Sequence, residues 1–106
     1  MRVYVAGPYT LGDVCRNVAN AIEMGNTLLG HGHSPFIPHL THFWHLLYPH
    51  RYEAWLNYDN VWLTVCDALI RLPGESHGAD GEVQLAQQLS IPVFYSLGDF
   101  LDYTKR

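Results

Sequence analysis

The stretch Val3-Tyr4-Val5-Ala6-Gly7-Pro8-Tyr9 decides the fold. Four strand-forming residues run without a charged break into Gly-Pro, which is how a buried strand meets a turn. Beyond Gly12 and Asp13, the apolar positions Val14, Val18, Ala21, Ile22, Gly25, Leu28 and Leu29 recur at three and four. That spacing predicts a helix packing one face inward until Gly30 or Gly32 stops it. Ser34 to Pro38, with Phe36 and Ile37 between two prolines, fits a second short strand near a sheet edge, where a missing N–H is tolerated. A helix from about Tyr52 to Thr64 sets Tyr52, Trp55, Leu56, Asp59, Trp62 and Leu63 on one stripe. Ala68-Leu69-Ile70 reads as a third strand, and Leu72 to Gly78 as the loop leaving its C-terminal end. Val83, Leu85, Ala86 and Leu89 form a short amphipathic helix, Ile91 to Tyr95 a fourth strand, and Asp99 to Tyr103 a terminal helical turn. Strands alternating with helices in this way predict right-handed βαβ units, hence an α/β fold whose small, mostly parallel sheet is covered on both faces.

Composition narrows the function classes. With 106 residues the chain is expected to form one domain over 1–106, and 48% hydrophobic against 15% charged residues is the make-up of a folded core. Six basic against ten acidic residues give a net charge of −4, with no basic run, which argues against a nucleic-acid polymer as partner. No apolar run reaches the ~18 residues of a membrane span, and the N-terminus leads into a strand rather than a signal peptide, so no membrane or targeting role is expected. Cys15 and Cys66 both fall in apolar segments with no C-x-x-C partner, which fits a cytoplasmic protein without disulfide or zinc cage.

In an open parallel sheet, ligands bind outside the carboxyl ends of the strands where the strand order reverses. Three segments converge there: the Gly7-Pro8-Tyr9-Thr10 turn, the Pro38-His39 turn, and Ser76 to Glu82 opening a helix. Gly7 and Gly12 permit either a sharp turn or close backbone approach to a ligand, and the G-x-G-x-x-G dinucleotide fingerprint is absent. Ser76 and Gly78 at a helix start leave N–H groups for an anion, or Ser76 simply caps the helix while Asp80 and Glu82 complement its dipole. Asp59 is a carboxylate on an aromatic stripe. It must be paired structurally, with Arg16, Arg51 or Arg71, or be protonated, or face a cavity, because burying it alone costs several kcal/mol. Two carboxylates, one on a helix and one near a loop, can divide labour as nucleophile and acid, as in retaining glycosidases. His39, His42 and His45 lack an accompanying cysteine or carboxylate set, and their i, i+3, i+6 spacing does not hold all three on one helix face, so no metal is expected.

The chain resembles the nucleoside 2-deoxyribosyltransferase family, with its branch of 2′-deoxynucleoside 5′-phosphate N-hydrolases. The resemblance rests on Val3-Tyr4-Val5-Ala6-Gly7-Pro8-Tyr9, on Asp59-x7-Asp67-Ala68, and on Ser76-x-Gly78-x3-Glu82-x3-Ala86 followed by Ile91-Pro92-Val93. It spans nearly the whole chain and implies a flavodoxin-like three-layer sandwich. It further implies cleavage of the N-glycosidic bond of a nucleoside or its 5′-monophosphate, resolved by water or by a second base. Glu82 falls on the family's nucleophile, Tyr4 on the tyrosine that orients it, and Asp59 on the aspartate that assists departure of the base. Gly7, Tyr9, Thr10, His39, Ser76 and Gly78 are then the substrate-binding set, with Ser76 where the hydrolase branch contacts the 5′-phosphate. Thr10 stands in the first loop, where that branch usually has an arginine. No metal or organic cofactor is implied. A homodimer or larger homo-oligomer is expected, with the helix carrying Trp55 and Trp62 as its interface. A different class stays open: a non-catalytic nucleotide-binding module, or an interaction domain whose Trp44, Trp55 and Trp62 cluster meets a partner.

Overall fold

The computed structural model describes residues 1–105. Along the chain lie β1 (Arg2–Ala6), α1 (Val14–Gly30), β2 (Ser34–Phe36), a 3-10 turn (Pro38–Leu40), α2 (Thr41–Leu47), α3 (Tyr52–Leu63), β3 (Ala68–Arg71), α4 (His77–Gln88), β4 (Val93–Phe94) and α5 (Leu97–Thr104). The four strands are all parallel in the order β2-β1-β3-β4.

Side chains alternate across each strand, so β1 feeds two cores. Val3 and Val5 pack with Ala21 and Leu28 of α1, Ile70 of β3 and Phe100 of α5 on one face. Tyr4 and Ala6 pack with Leu63 of α3, Leu69 of β3, and Ala79, Val83 and Ala86 of α4 on the other. Helices therefore cover both faces, as the alternation of elements predicts, and the architecture is the flavodoxin-like α/β sandwich that the resemblance implies.

Several boundaries differ from the sequence expectation for identifiable reasons. On α1 only Ala21, Gly25 and Leu28 are buried, while Ile22 and Leu29 are 41% and 63% exposed. These two sit about 100° around the helix from the buried row, on its flank. Both candidate glycines take part in the stop: the helix ends at Gly30, and Gly32, at φ +86°, turns the chain back toward β2. The fourth strand shrinks to two residues because Pro92 has no N–H, although its carbonyl accepts from Leu69 N at 3.0 Å. Helix α5 begins earlier than expected, at Leu97, because the Ser96 hydroxyl accepts from Asp99 N at 3.1 Å. Helix α2 has no counterpart in the sequence reading. Cys66 is buried as expected but Cys15 is exposed, on the solvent side of α1; both are free thiols. Among the described residues no helix is long and apolar enough to cross a membrane.

Gly25 is set by packing. A Cβ there would lie 2.2 Å from Ile37 Cδ1 and 2.9 Å from its Cγ1, whereas one at Gly30 would meet nothing within 4 Å. Gly25→Ala is therefore expected to lose about 1–3 kcal/mol to overpacking despite the better helix propensity of alanine, and Gly30→Ala to gain about 0.5–1 kcal/mol. Urea denaturation of the two variants checks the opposite signs.

Candidate active site

The sheet order reverses beside β1, with β2 on one side and β3 on the other, so a crevice opens at the carboxyl ends of β1 and β3. Its walls come from segments whose local sequence fixes them. The loop after β1 is tied down at both ends. Asn17 Nδ2 donates to the carbonyls of Tyr9 at 3.0 Å and Leu11 at 2.8 Å. His39 Nε2 donates to Pro8 O at 2.9 Å, and the Tyr9 hydroxyl donates to His42 Nδ1 at 2.5 Å. Pro38 sets the 3-10 turn that brings His39 under this loop, where it is 4% exposed.

Opposite, the Ser76 hydroxyl accepts from Ala79 N at 3.0 Å and caps α4, so the capping role allowed for it is the one observed. Gly78, in the first turn of the helix, leaves room for α3. A Cβ there would come within 3.3 Å of the Tyr52 hydroxyl.

Between these walls lies a cavity of about 610 Å³. Gly7, Tyr9, Thr10, His39, Asp59, Ser76, Gly78 and Glu82 all line it. Tyr4 lies beneath the floor, fully buried, and its hydroxyl donates to Glu82 Oε2. Asp59 has no structural partner: its Oδ1 is buried without a hydrogen bond, and neither ion pair among the described residues includes it. Of the three arginines considered for Asp59, Arg71 is committed elsewhere, to Asp80 at 2.9 Å. Histidines 39, 42 and 45 do not gather; among the described residues no three histidine, cysteine or carboxylate groups form a metal-sized cluster.

Burial raises both carboxylates. Burial pushes Glu82 up to about 7 and the Asp59 charge pushes the same way, while the Tyr4 hydrogen bond and the Arg71 charge oppose them. Asp59 also rises to about 7, from burial alone, with nothing to offset it. Tyr4 is raised, first by burial and then by both carboxylates, so it remains a phenol and a hydrogen-bond donor. Near neutrality the pair shares about one proton. Glu82 alone has a donor and a cation that favour its anion. His39 is lowered by burial, against the pull of its backbone bonds, and is a neutral donor through Nε2.

A family described as a domain of unknown function, DUF7768, matches residues 1–96. The chain belongs to this family. No curated protein matches it. Among solved structures, a 2-deoxyribosyltransferase from the psychrotolerant bacterium Bacillus psychrosaccharolyticus aligns with a TM-score of 0.67 at 16% identity, over 88% of this chain and 69% of that chain. At that identity the likeness shows a shared fold. The DUF7768 chain thus shares its sandwich with that protein and carries two raised carboxylates at its sheet edge.

Sequence reasoning missed one wall of the cavity. Trp55 Nε1 donates to His45 Nδ1 at 2.7 Å, His50 N donates to the same atom at 3.3 Å, and His45, His50, Tyr52 and Trp55 all line the space. Tyr52 was visible as a member of an apolar stripe, and Trp55 as that and as an expected interface residue, whereas the structure sets both at the cavity. The hint was that the stripe is too polar for a plain core, and that α2, which carries His45, follows the His39 turn directly.

The raised Glu82 fixes a stability sign. The unfolded side chain ionises near 4.5 and the folded one near 7, so between these values the native state binds more protons and stability falls as pH rises. Glu82→Gln removes that loss. At about pH 8 the variant is expected to be more stable than wild type by about 1–3 kcal/mol, and at about pH 4 the difference should vanish. Urea melts at the two pH values measure it.

Proposed function

We propose that this DUF7768 protein cleaves the N-glycosidic bond of a nucleoside or its 5′-monophosphate, with Glu82 as nucleophile and Asp59 as acid. The observation that carries this reading is the pairing of Glu82, held by the Tyr4 hydroxyl on one oxygen, with an unpartnered Asp59 across the same cavity. The fold shared with a 2-deoxyribosyltransferase supports it.

Tyr4 leaves the second Glu82 oxygen free to attack C1′. As the C–O bond forms, the C1′–N bond breaks and its electron pair moves to the base, which takes the Asp59 proton. Asp59, now a carboxylate, draws a proton from water or from an incoming base, and that nucleophile attacks C1′ and restores Glu82. Glutamate and aspartate supply the nucleophile and the proton, so the scheme calls on no cofactor. Gly7, Tyr9, Thr10 and His39 form the sugar-side wall. Ser76 and the N–H groups about Gly78 offer neutral donors to a 5′-phosphate at the start of α4. Among the described residues no lysine or arginine lines the cavity, so the preference for the monophosphate is modest. We read residues 1–106 as one domain, and two free thiols fit a reducing cytoplasm. Phe43, Leu46 and Leu47 of α2 and Val61 and Trp62 of α3 stand exposed, more apolar surface than an isolated domain usually leaves in water, and we assign that surface to a homodimer contact.

Incubation with a panel of nucleosides and 5′-monophosphates, followed by chromatography for free base, tests the reaction. Glu82→Gln should lower base release by at least about 10³-fold with the fold intact. Wild-type kcat/KM should follow a bell centred near neutrality, and Asp59→Asn, besides lowering it, should remove the alkaline limb, which reports the acid. Comparing one deoxynucleoside with its monophosphate in wild type and Ser76→Ala reads the phosphate contact. Near-wild-type turnover by Glu82→Gln would refute the nucleophile.

The oligomer is checked separately. Light scattering at assay concentration should return a dimer mass, and Leu47→Glu should shift it toward monomer; a fully active wild-type monomer would count against the assignment.

A further inference from the structure

Arg71 is the charged residue that the scheme above leaves unused. It ends β3 in register with Ala6 of β1, and its neighbour two residues back, Leu69, pairs with Tyr4. Tyr4, Ala6, Leu69 and Arg71 therefore project from the same face of the sheet, the face that α4 covers. The Arg71 side chain is 9% exposed. Its Nη1 donates to Leu72 O, and its Nη2 meets Asp80 Oδ1 at 2.9 Å, in the first turn of α4 and two residues before Glu82.

The pair is lopsided. The Asp80 side chain is 62% exposed, so water screens the anion while the cation stays in the interior. A buried guanidinium costs several kcal/mol of desolvation that a mostly solvated partner repays poorly, and an apolar side chain of similar length would serve packing as well. What such a residue leaves behind is positive potential on the sheet side of α4. Tyr4 reaches Glu82 from that same face of the sheet, so the cation stands on the side of α4 that carries this carboxylate.

We propose that Arg71 is the positioning residue of Glu82, tying the first turn of α4 to the end of β3 and holding the Glu82 carboxylate in its ionised form beside Asp59. This rests on the nucleophile reading for its consequence, but not for its measurement. The groups facing Glu82 are Tyr4 from β1, Asp59 from α3, Arg71 from β3 and His39 across the cavity, with His77 and Asp80 along its own helix. Tyr4 and Arg71 favour the anion, and Asp59 opposes it.

The test is the carboxyl titration of Glu82, followed by carbon-detected NMR on glutamate-labelled protein, alongside the pH profile of base release. Arg71→Met, which keeps length and removes charge, should raise the Glu82 midpoint by about half a unit or more, and move the acid limb of kcat/KM upward by the same amount. Arg71→Lys should return most of that shift, and Asp80→Asn, which unmasks the cation, should lower the midpoint. An unchanged Glu82 midpoint in Arg71→Met, with a loss of activity equal at every pH, would overturn the proposal and leave Arg71 a packing residue. If Arg71→Met does not fold, Arg71→Gln decides: a raised midpoint supports the assignment and an unmoved one refutes it. Should wild type release no base from any substrate, the reaction reading falls, while the titration still answers for Arg71.

Discussion

The structure turns on a carboxylate kept out of water. Glu82 is 7% exposed on the inner face of α4, among the residues that pack this helix on the sheet. A buried carboxylate is tolerated only if something answers its charge or if it takes a proton, and both happen at this site. Tyr4 supplies a hydroxyl from the central strand, Arg71 a charge from its neighbour, and Asp59 a second acid that competes for the same proton. Because each helper comes from a different element, the helices must pack where they do for the site to exist. The parallel sheet places the ends of β1 and β3 side by side, and that adjacency is what lets Tyr4 and Arg71 reach one helix.

Much of this was legible in the sequence, and the parts that were not share a cause. Periodicity gave β1, α1, α3, β3 and α4 because each has a repeating apolar signal tied to burial. Gly7-Pro8 and Ser76-x-Gly78 marked the loops at the sheet edge because turn and cap chemistry is local. Asp59 stood out as a charge on an aromatic stripe, and the cavity explains it. Helix α2 was missed because residues 41–47 bury nothing fully, so no face is distinguished, and its histidines compete with a metal reading that rests on spacing alone. The exposure of Ile22, Leu29 and Cys15 was missed because hydrophobicity reports what a residue prefers, whereas the width of the buried stripe depends on how much of the sheet a helix covers.

The histidine-rich segment is better understood as a wall than as a ligand set. His39 holds Pro8, His42 holds Tyr9, and His45 accepts from Trp55 and from the backbone of His50. Each imidazole is used to fasten a loop or helix at the rim. A ring with one donor and one acceptor nitrogen suits this, since it can bridge a carbonyl on one side and a hydroxyl or indole on another. His39 retains a buried Nδ1 with no partner, and it is the only one of these residues whose second nitrogen is so placed among the described residues. The residue itself lines the cavity.

Stability and electrostatics are coupled by where Glu82 sits. Ala79, Val83 and Ala86 of α4 belong to the same core cluster as Tyr4 and Leu69, so Glu82 is carried by the very helix face that anchors α4. The Tyr4–Glu82 bond also joins residues 78 apart in the sequence. It therefore needs β1 and α4 packed together. The desolvation of the carboxylate is borne by the fold, through the apolar contacts on either side of Glu82. A substitution at Val83 or Ala86 would therefore act on the carboxylate as well as on the core, because any loosening of α4 admits water to Glu82 and lowers the burial that raises its proton affinity. In this fold the packing of a small helix and the acidity of its one inward carboxylate are a single physical quantity seen from two sides.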